Sequence, residues 1–169
     1  MLLPALNAAR EKARRISCAS NEKQVGLALQ MFVNYPDEPN FPNALKDLVT
    51  RGTLTDTKMF ICPSTTLTAA TYDSTNADSF KFTEDTLSYQ YLLEATGKGL
   101  NSSRCSSDSG IYYDHAWKTG STPNHENFSN VLYGDGHVGS KTKSPLSPTD
   151  DIGWANASDC VVDTVDSGS

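Results

Sequence analysis

No stretch of this 169-residue chain is apolar for the ~20 residues that a bilayer crossing needs. The apolar opening, Met1-Leu2-Leu3-Pro4-Ala5-Leu6, is far too short. Cys18, Cys62, Cys105 and Cys160 form no CxxC or CxH pair, which sets aside a zinc knuckle. A Gly-x-Ser-x-Gly elbow and a glycine-rich phosphate loop are both missing, so two common routes to hydrolysis and nucleotide binding lack sequence support. Basic residues are outnumbered 14 to 20, for a net charge of −6, which argues against generic nucleic-acid binding. Apolar residues are scarce at 37%, yet the length suffices for one domain with a real core.

What is abundant comes first in the chain. Leu2 to Tyr35 is dense in Ala, Leu, Glu, Lys, Arg and Gln, with Gly26 its only glycine, and reads as one long helix. Cys18, Val25, Leu29 and Phe32 repeat on one face of a 3.6-residue period, and Ala28 and Leu6 widen that stripe. Residues 10–15, Arg-Glu-Lys-Ala-Arg-Arg, offer no broad apolar face. The expectation is one structural domain: a helix over 1–35, with an outer half (1–17) that projects and an inner half (18–35) packed on a head formed by 36–169. The projecting half requires a partner. An apolar opening followed by a basic cluster also resembles the exit end of a membrane helix, so a preceding apolar segment is expected.

Three prolines between Pro36 and Pro42 make a loop. Asn43 is placed to cap a short helix, Ala44 to Arg51, closed by Gly52. Met59 to Cys62 reads as a short strand or extended segment stopped by Pro63. Residues 64–86 read as a long loop with a short strand near Phe80 to Phe82. Leu87 to Leu93 and Ile111 to Trp117 alternate as strands. Asn130 to Tyr133 and His137 to Lys141 flank Gly134-Asp135-Gly136, a hairpin signal. The tail from Pro145 onward reads as irregular, and residues 149–169 hold five Asp and no Lys or Arg. The fold class is α+β: a long helix laid across a small antiparallel sheet with long loops.

The even cysteine count in a loop-rich chain favours disulfides and an oxidising compartment. Three pairings are open; the favoured one is Cys18–Cys62 with Cys105–Cys160, because Cys18 lies on the inward helix face and Cys62 ends the apolar run Met59-Phe60-Ile61. His115, His125 and His137 lie within 23 positions, which invites an acid–base or metal role with Asp135. A strand between His125 and Asp135 would hold them roughly 13 Å apart, too far for a shared ion or relay. The structural expectation is that His125 hydrogen-bonds a loop backbone and Asp135 shapes a turn. Asp135, Asp150 and Asp151 are hard oxygen donors in carbonyl-rich loops, the chemistry of calcium.

Several stretches together resemble a known family. Leu2 to Arg15 with Asn21 to Leu29 is similar to the post-membrane part of type IV pilin-like and type II secretion pseudopilin-like proteins. His125 to Gly136, an H-X9-DG spacing, resembles the C-terminal signature of the branch with a prepilin-type cleavage and methylation N-terminus; its residues are His125, Asp135 and Gly136. Phe60-Ile61-Cys62-Pro63-Ser64 is also similar to a segment of that branch. The three stretches cover about a quarter of the chain. The resemblance implies a pilin-like fold and a filament or pseudopilus subunit, not an enzyme. It implies assembly with other pilin-like subunits through the N-terminal helix and insertion in the inner membrane before assembly. It places the protein in the cell envelope, with a periplasmic or extracellular head, and implies no nucleic-acid partner and no required cofactor. Major pseudopilins carry a calcium site whose pattern is similar to Asp135-Gly136 and Asp151-Ile152-Gly153-Trp154; here the residue between Gly and Trp is missing.

Two other functions compete. One is a minor tip subunit or adhesin whose 64–110 loops bind a glycan or secreted protein. The other is a hydrolase, which requires two of His115, His125, His137 and Asp135 to converge in one pocket.

Overall fold

A computed structural model describes residues 2–36, 38–94, 96–105, 107–114, 123–142 and 146, and the backbone alone at residue 2 and residues 160–162. The fold is α+β. Helix α1 spans Leu2–Val33 and lies across an antiparallel sheet. The sheet has strands β1 (Tyr89–Glu94), β2 (Gly110–Asp114), β3 (Ser129–Tyr133), β4 (Val138–Lys141) and β5 (Cys160–Val162), in the spatial order β4-β3-β2-β1-β5. The first four make a meander. The last returns to pair with β1, Leu92 opposite Val162, which corrects the expectation of an irregular tail.

Pro4 sits in the first turn of α1, where its missing N–H removes no helical bond. The helix ends by tightening: the amides of Asn34 and Tyr35 donate to the carbonyls of Met31 and Phe32, and Pro36 prevents continuation. Cys18, Val25, Ala28, Leu29 and Phe32 are buried as their period predicts. Burying each of the larger apolar ones contributes about 1.5–3 kcal/mol. Leu6 does not join them; it is 47% exposed, because the head does not reach that turn. Gly26 lets the sheet come close, since a Cβ there would lie 2.6 Å from Leu132 Cδ1.

The pleat sorts the sheet residues. Tyr89 and Tyr91 of β1, Tyr112 and Asp114 of β2, and Asn130 and Leu132 of β3 share the face toward α1. Tyr89 and Tyr112 pack with ring centroids 5.0 Å apart. On the opposite face, Tyr113 donates its hydroxyl proton to Gln90 Oε1. Central strands buried on both faces explain why β2 and β3 read as almost continuous apolar runs.

The Asp-Gly hairpin forms between β3 and β4 as expected, with Gly136 at φ +85. Asp135 Oδ1 accepts the His137 amide and closes the turn. From α1, Lys23 Nζ donates to the Gly136 carbonyl at 2.6 Å and Gln30 Nε2 to the Gly134 carbonyl at 2.7 Å. Two side chains two helical turns apart thus clamp the hairpin to the helix.

Three local expectations are corrected. The short helix, α2, spans Lys46–Thr50, and Asn43 does not cap it. Asn43 Oδ1 instead accepts the Gly99 amide, while Asp47 turns back to accept the Ala44 amide. Met59 and Phe60 belong to a 3-10 turn, Thr57–Phe60, because the Asp56 side chain accepts the Lys58 amide and starts a turn; the chain is extended at Ile61. Phe80 and Phe82 are in no strand; they are buried in an aromatic cluster with Phe60 and Tyr72. That cluster, not sheet pairing, is what their spacing serves.

Candidate functional site

The fold concentrates polar chemistry at one place, the node where α1 crosses β1–β3. Cys18, on the inward face of α1, is joined to Cys62 with their Cα atoms 5.3 Å apart. One turn further along the same face, Glu22 is fully buried. Asp114 ends β2 and Asn130 is the second residue of β3, both facing the helix. Asn124 and His125 enter from the loop before β3, and both are buried.

Among the described residues His125 bonds side chains rather than the loop backbone that its position suggested. Its Nδ1 lies 2.7 Å from Glu11 Oε1 and 3.3 Å from Ser64 Oγ. Its Nε2 lies 3.4 Å from Cys62 Sγ and 3.9 Å from Asp114 Oδ2. The serine and the carboxylate share one ring nitrogen. A nucleophile relay needs them on opposite nitrogens, so these three residues are not arranged as a triad. Glu11 also takes a charged bond from Arg15 at 3.2 Å. Arg15 in turn lies over the Phe128 ring, 4.6 Å from its centroid, and donates to the Glu126 carbonyl. The head therefore grips the helix from Glu11 onward, within the half expected to project.

Asp114 is well held. Its Oδ2 accepts from the Asn130 amide at 3.0 Å and from Asn130 Nδ2 at 2.9 Å, and Oδ1 accepts from Asn124 Nδ2. Burial raises its pKa above the carboxylate norm, against the pull of those donors and of His125. Glu22 is held by nothing: neither carboxyl oxygen has a hydrogen-bond partner among the described residues. Burial, and then the charge of Asp114, pushes it well above the usual range. The same burial raises Tyr89 and Tyr112. For Glu11, burial opposes the charge but the hydrogen bonds from His125 and Arg15 prevail, so its carboxyl sits below the norm.

Of the expected site residues that are described, Asp135 and His137 meet, but His125 does not join them. Asp135 pairs with His137 Nδ1 at 2.7 Å, but both are exposed on the hairpin turn, away from the buried His125. The Asp135 carboxyl is lowered first by the His137 amide. His115, Asp150 and Asp151 lie outside the described residues, as does the side chain of Cys160 and with it the Cys105–Cys160 pairing. Of the calcium donors, only Asp135 is described. Glu22 and Asp114 were missed, because a carboxylate inside an apolar period reads as an interruption rather than a core position.

Outside the node, the other face of α1 is bare. Leu27 and Met31 are each 56% exposed and Ile16 62%. Leu27, Met31 and the half-exposed Tyr35 follow one another at i, i+4 and i+8 along the helix and the turn that ends it. Beneath its outer half runs an apolar groove of ≈ 650 Å³, lined by Ala8, Ile16, Ala19, Phe128 and Val138 among others. Among the described residues, no helix is long and apolar enough to cross a membrane.

A family model described as "protein of unknown function (DUF1559)" matches residues 7–43. The matched segment carries the helical half of the node (Glu11, Cys18 and Glu22) and the clamp residues Lys23 and Gln30. No curated protein and no solved structure matches the chain.

Proposed function

We propose that this chain is the head-bearing part of a pilin-like subunit, of the type IV pilus or type II secretion pseudopilus kind, that assembles with other subunits through α1. The carrying observation is the division of α1. One face is bound to the head, while the other leaves Leu27, Met31 and Ile16 more than half exposed. Scattered surface apolar residues need no explanation, but a row at helical spacing beside an apolar groove is an association surface. The match at residues 7–43 is compatible with an extracellular pilin-like protein. The disulfide fits an oxidising cell-envelope location.

In this role the head is a rigid body and the helix its handle, with no catalysis and no nucleic acid involved. The inner membrane would hold the subunit before assembly. Calcium at Asp135 with Asp150 and Asp151 belongs to the same proposal; its sign would be a calcium-dependent rise in melting temperature. Paired cysteines introduced at Leu27 and Ile16 in the full-length gene product test assembly. Ladders of cross-linked multimers in the envelope support it, and an exclusively monomeric product refutes it.

A second reading, a glycan-binding tip subunit, rests on a polar cleft of ≈ 250 Å³ within the 64–86 loop, lined by Asp73, Asn76, Lys81 and Thr83 among others. A glycan array probed with the soluble head separates the two.

A further inference from the structure

The sulfurs of Cys18 and Cys62 are half of a larger set. One ligand atom each from Cys18, Cys62, Asp114 and His125 lies within 4.8 Å of every other, and all four residues are buried. His125 Nε2 is 3.4 Å from Cys62 Sγ and 3.9 Å from Asp114 Oδ2, spacings close to the edges of a tetrahedron around a zinc-sized ion. We infer that the reduced form of this node binds one zinc-class divalent cation through the Cys18 and Cys62 thiolates, His125 Nε2 and an Asp114 oxygen.

The surroundings are those of a metal centre. Glu11 holds His125 Nδ1 at 2.7 Å, the carboxylate–histidine pairing that orients a ligating imidazole and directs its other nitrogen at the ion. Asn124 and Asn130 fix the Asp114 carboxylate from behind. Glu22, one helical turn from Cys18, is fully buried with both carboxyl oxygens unpartnered among the described residues. A buried carboxyl group without a hydrogen-bond partner is costly in a core, which marks this as a position kept for more than packing. A cleft of ≈ 560 Å³ bordered by Glu11, Ser64, Asn124 and His125 leads from solvent to the imidazole. Two sulfurs, an imidazole and one carboxylate select zinc over calcium, which takes oxygen alone.

The two states interconvert by dithiol exchange. A dithiol reductant transfers two electrons and two protons: its thiols close to a disulfide as the Cys18–Cys62 bond opens to two thiols. Zinc then replaces the two thiol protons, which go to solvent. Oxidation by a disulfide reverses both steps and expels the ion.

The test is native mass spectrometry with circular dichroism on the phosphine-reduced protein under anaerobic conditions, with zinc as the probe and cobalt as its optical reporter. One zinc per chain is expected, with loss of two protons, retained secondary structure and thiolate-to-cobalt charge-transfer absorption. The oxidised protein and Cys62→Ser should take up no zinc. Glu11→Gln, which keeps the side-chain shape but removes the charge facing both His125 and Arg15, should weaken uptake by about 10-fold while the head stays folded. The inference is overturned by a reduced, folded protein that takes no zinc. It is equally overturned by uptake that is the same in the oxidised protein or in Cys62→Ser, or by a reduced chain that loses its fold whether or not zinc is present.

Discussion

Nδ1 of His125 stands 2.7 Å from Oε1 of Glu11 across 114 positions of sequence. Among the described residues this is the outermost hydrogen bond between α1 and the head, and it sets where the helix leaves the domain. Glu11→Ala should therefore free the outer half. A charge-assisted hydrogen bond contributes up to ~3 kcal/mol, and the one-third exposure of Glu11 reduces the expected loss to about 1 kcal/mol. Because the folded carboxyl titrates below its ordinary value, this contribution is present above the unfolded carboxylate range and disappears as pH falls through the folded value. Amide exchange over residues 8–16 should accelerate in the variant while residues 25–32 stay protected. Unchanged exchange in the outer half would show that the pair does not hold it.

Glu22 predicts the opposite pH dependence. Its folded carboxyl keeps a proton at pH values where the unfolded chain has lost it. The folded state then binds more protons, so stability falls as pH rises above the ordinary carboxylate range. Glu22→Leu removes that liability and fills the same volume with apolar atoms. It should raise stability by about 1–3 kcal/mol at pH 8, with the gain shrinking toward pH 4. Thermal melts of both proteins across that range decide it; a destabilised variant at pH 8 would mean that the carboxyl has a partner.

Cys18–Cys62 spans a sequence separation of 44. Closing a loop of that length lowers the entropy of the unfolded chain by an amount corresponding to about 4 kcal/mol. The double variant Cys18→Ala, Cys62→Ala should lose stability on that scale in urea unfolding, with the greatest gain in exchange at Asn21, whose side chain bonds the Ile61 carbonyl across the bridge. A loss below about 1 kcal/mol would indicate that the Asn21 and His125 contacts already hold the loop without it.

What could be read from sequence follows contact range. Cys18, Val25, Leu29 and Phe32 declare their burial by period alone, and Asp135-Gly136 declares its hairpin because turn chemistry is local. Glu22 sits on that same helical stripe, but no periodicity rule accepts a carboxylate as a core residue. β5 was illegible because three residues carry no alternation, and their partner strand lies near Leu92. The role of His125 depends on Glu11 at the other end of the chain and Asp114 on another strand, so its neighbours in sequence say nothing of it. The grouping of Cys18, Cys62, Asp114 and His125 escapes spacing rules for the same reason: the four come from a helix, two loops and a strand, and topology alone assembles them.

The bare face of α1 supplies the last prediction. Leu27 and Met31 are each 56% exposed and one turn apart, so charging both should disturb nothing inside the head. Leu27→Glu with Met31→Glu should leave the melting temperature of the isolated head within a degree or two, since exposed substitutions move stability by less than about 0.5 kcal/mol. In the assembled state the same two side chains would be desolvated against a neighbouring helix, where an unpaired carboxylate is costly. Multimers in the cell envelope should then be lost, and a lysine pair at the same positions should fail in the same way, because burial rather than the sign of the charge is at fault. Assembly that survives both pairs would place the subunit contact on another face of the helix.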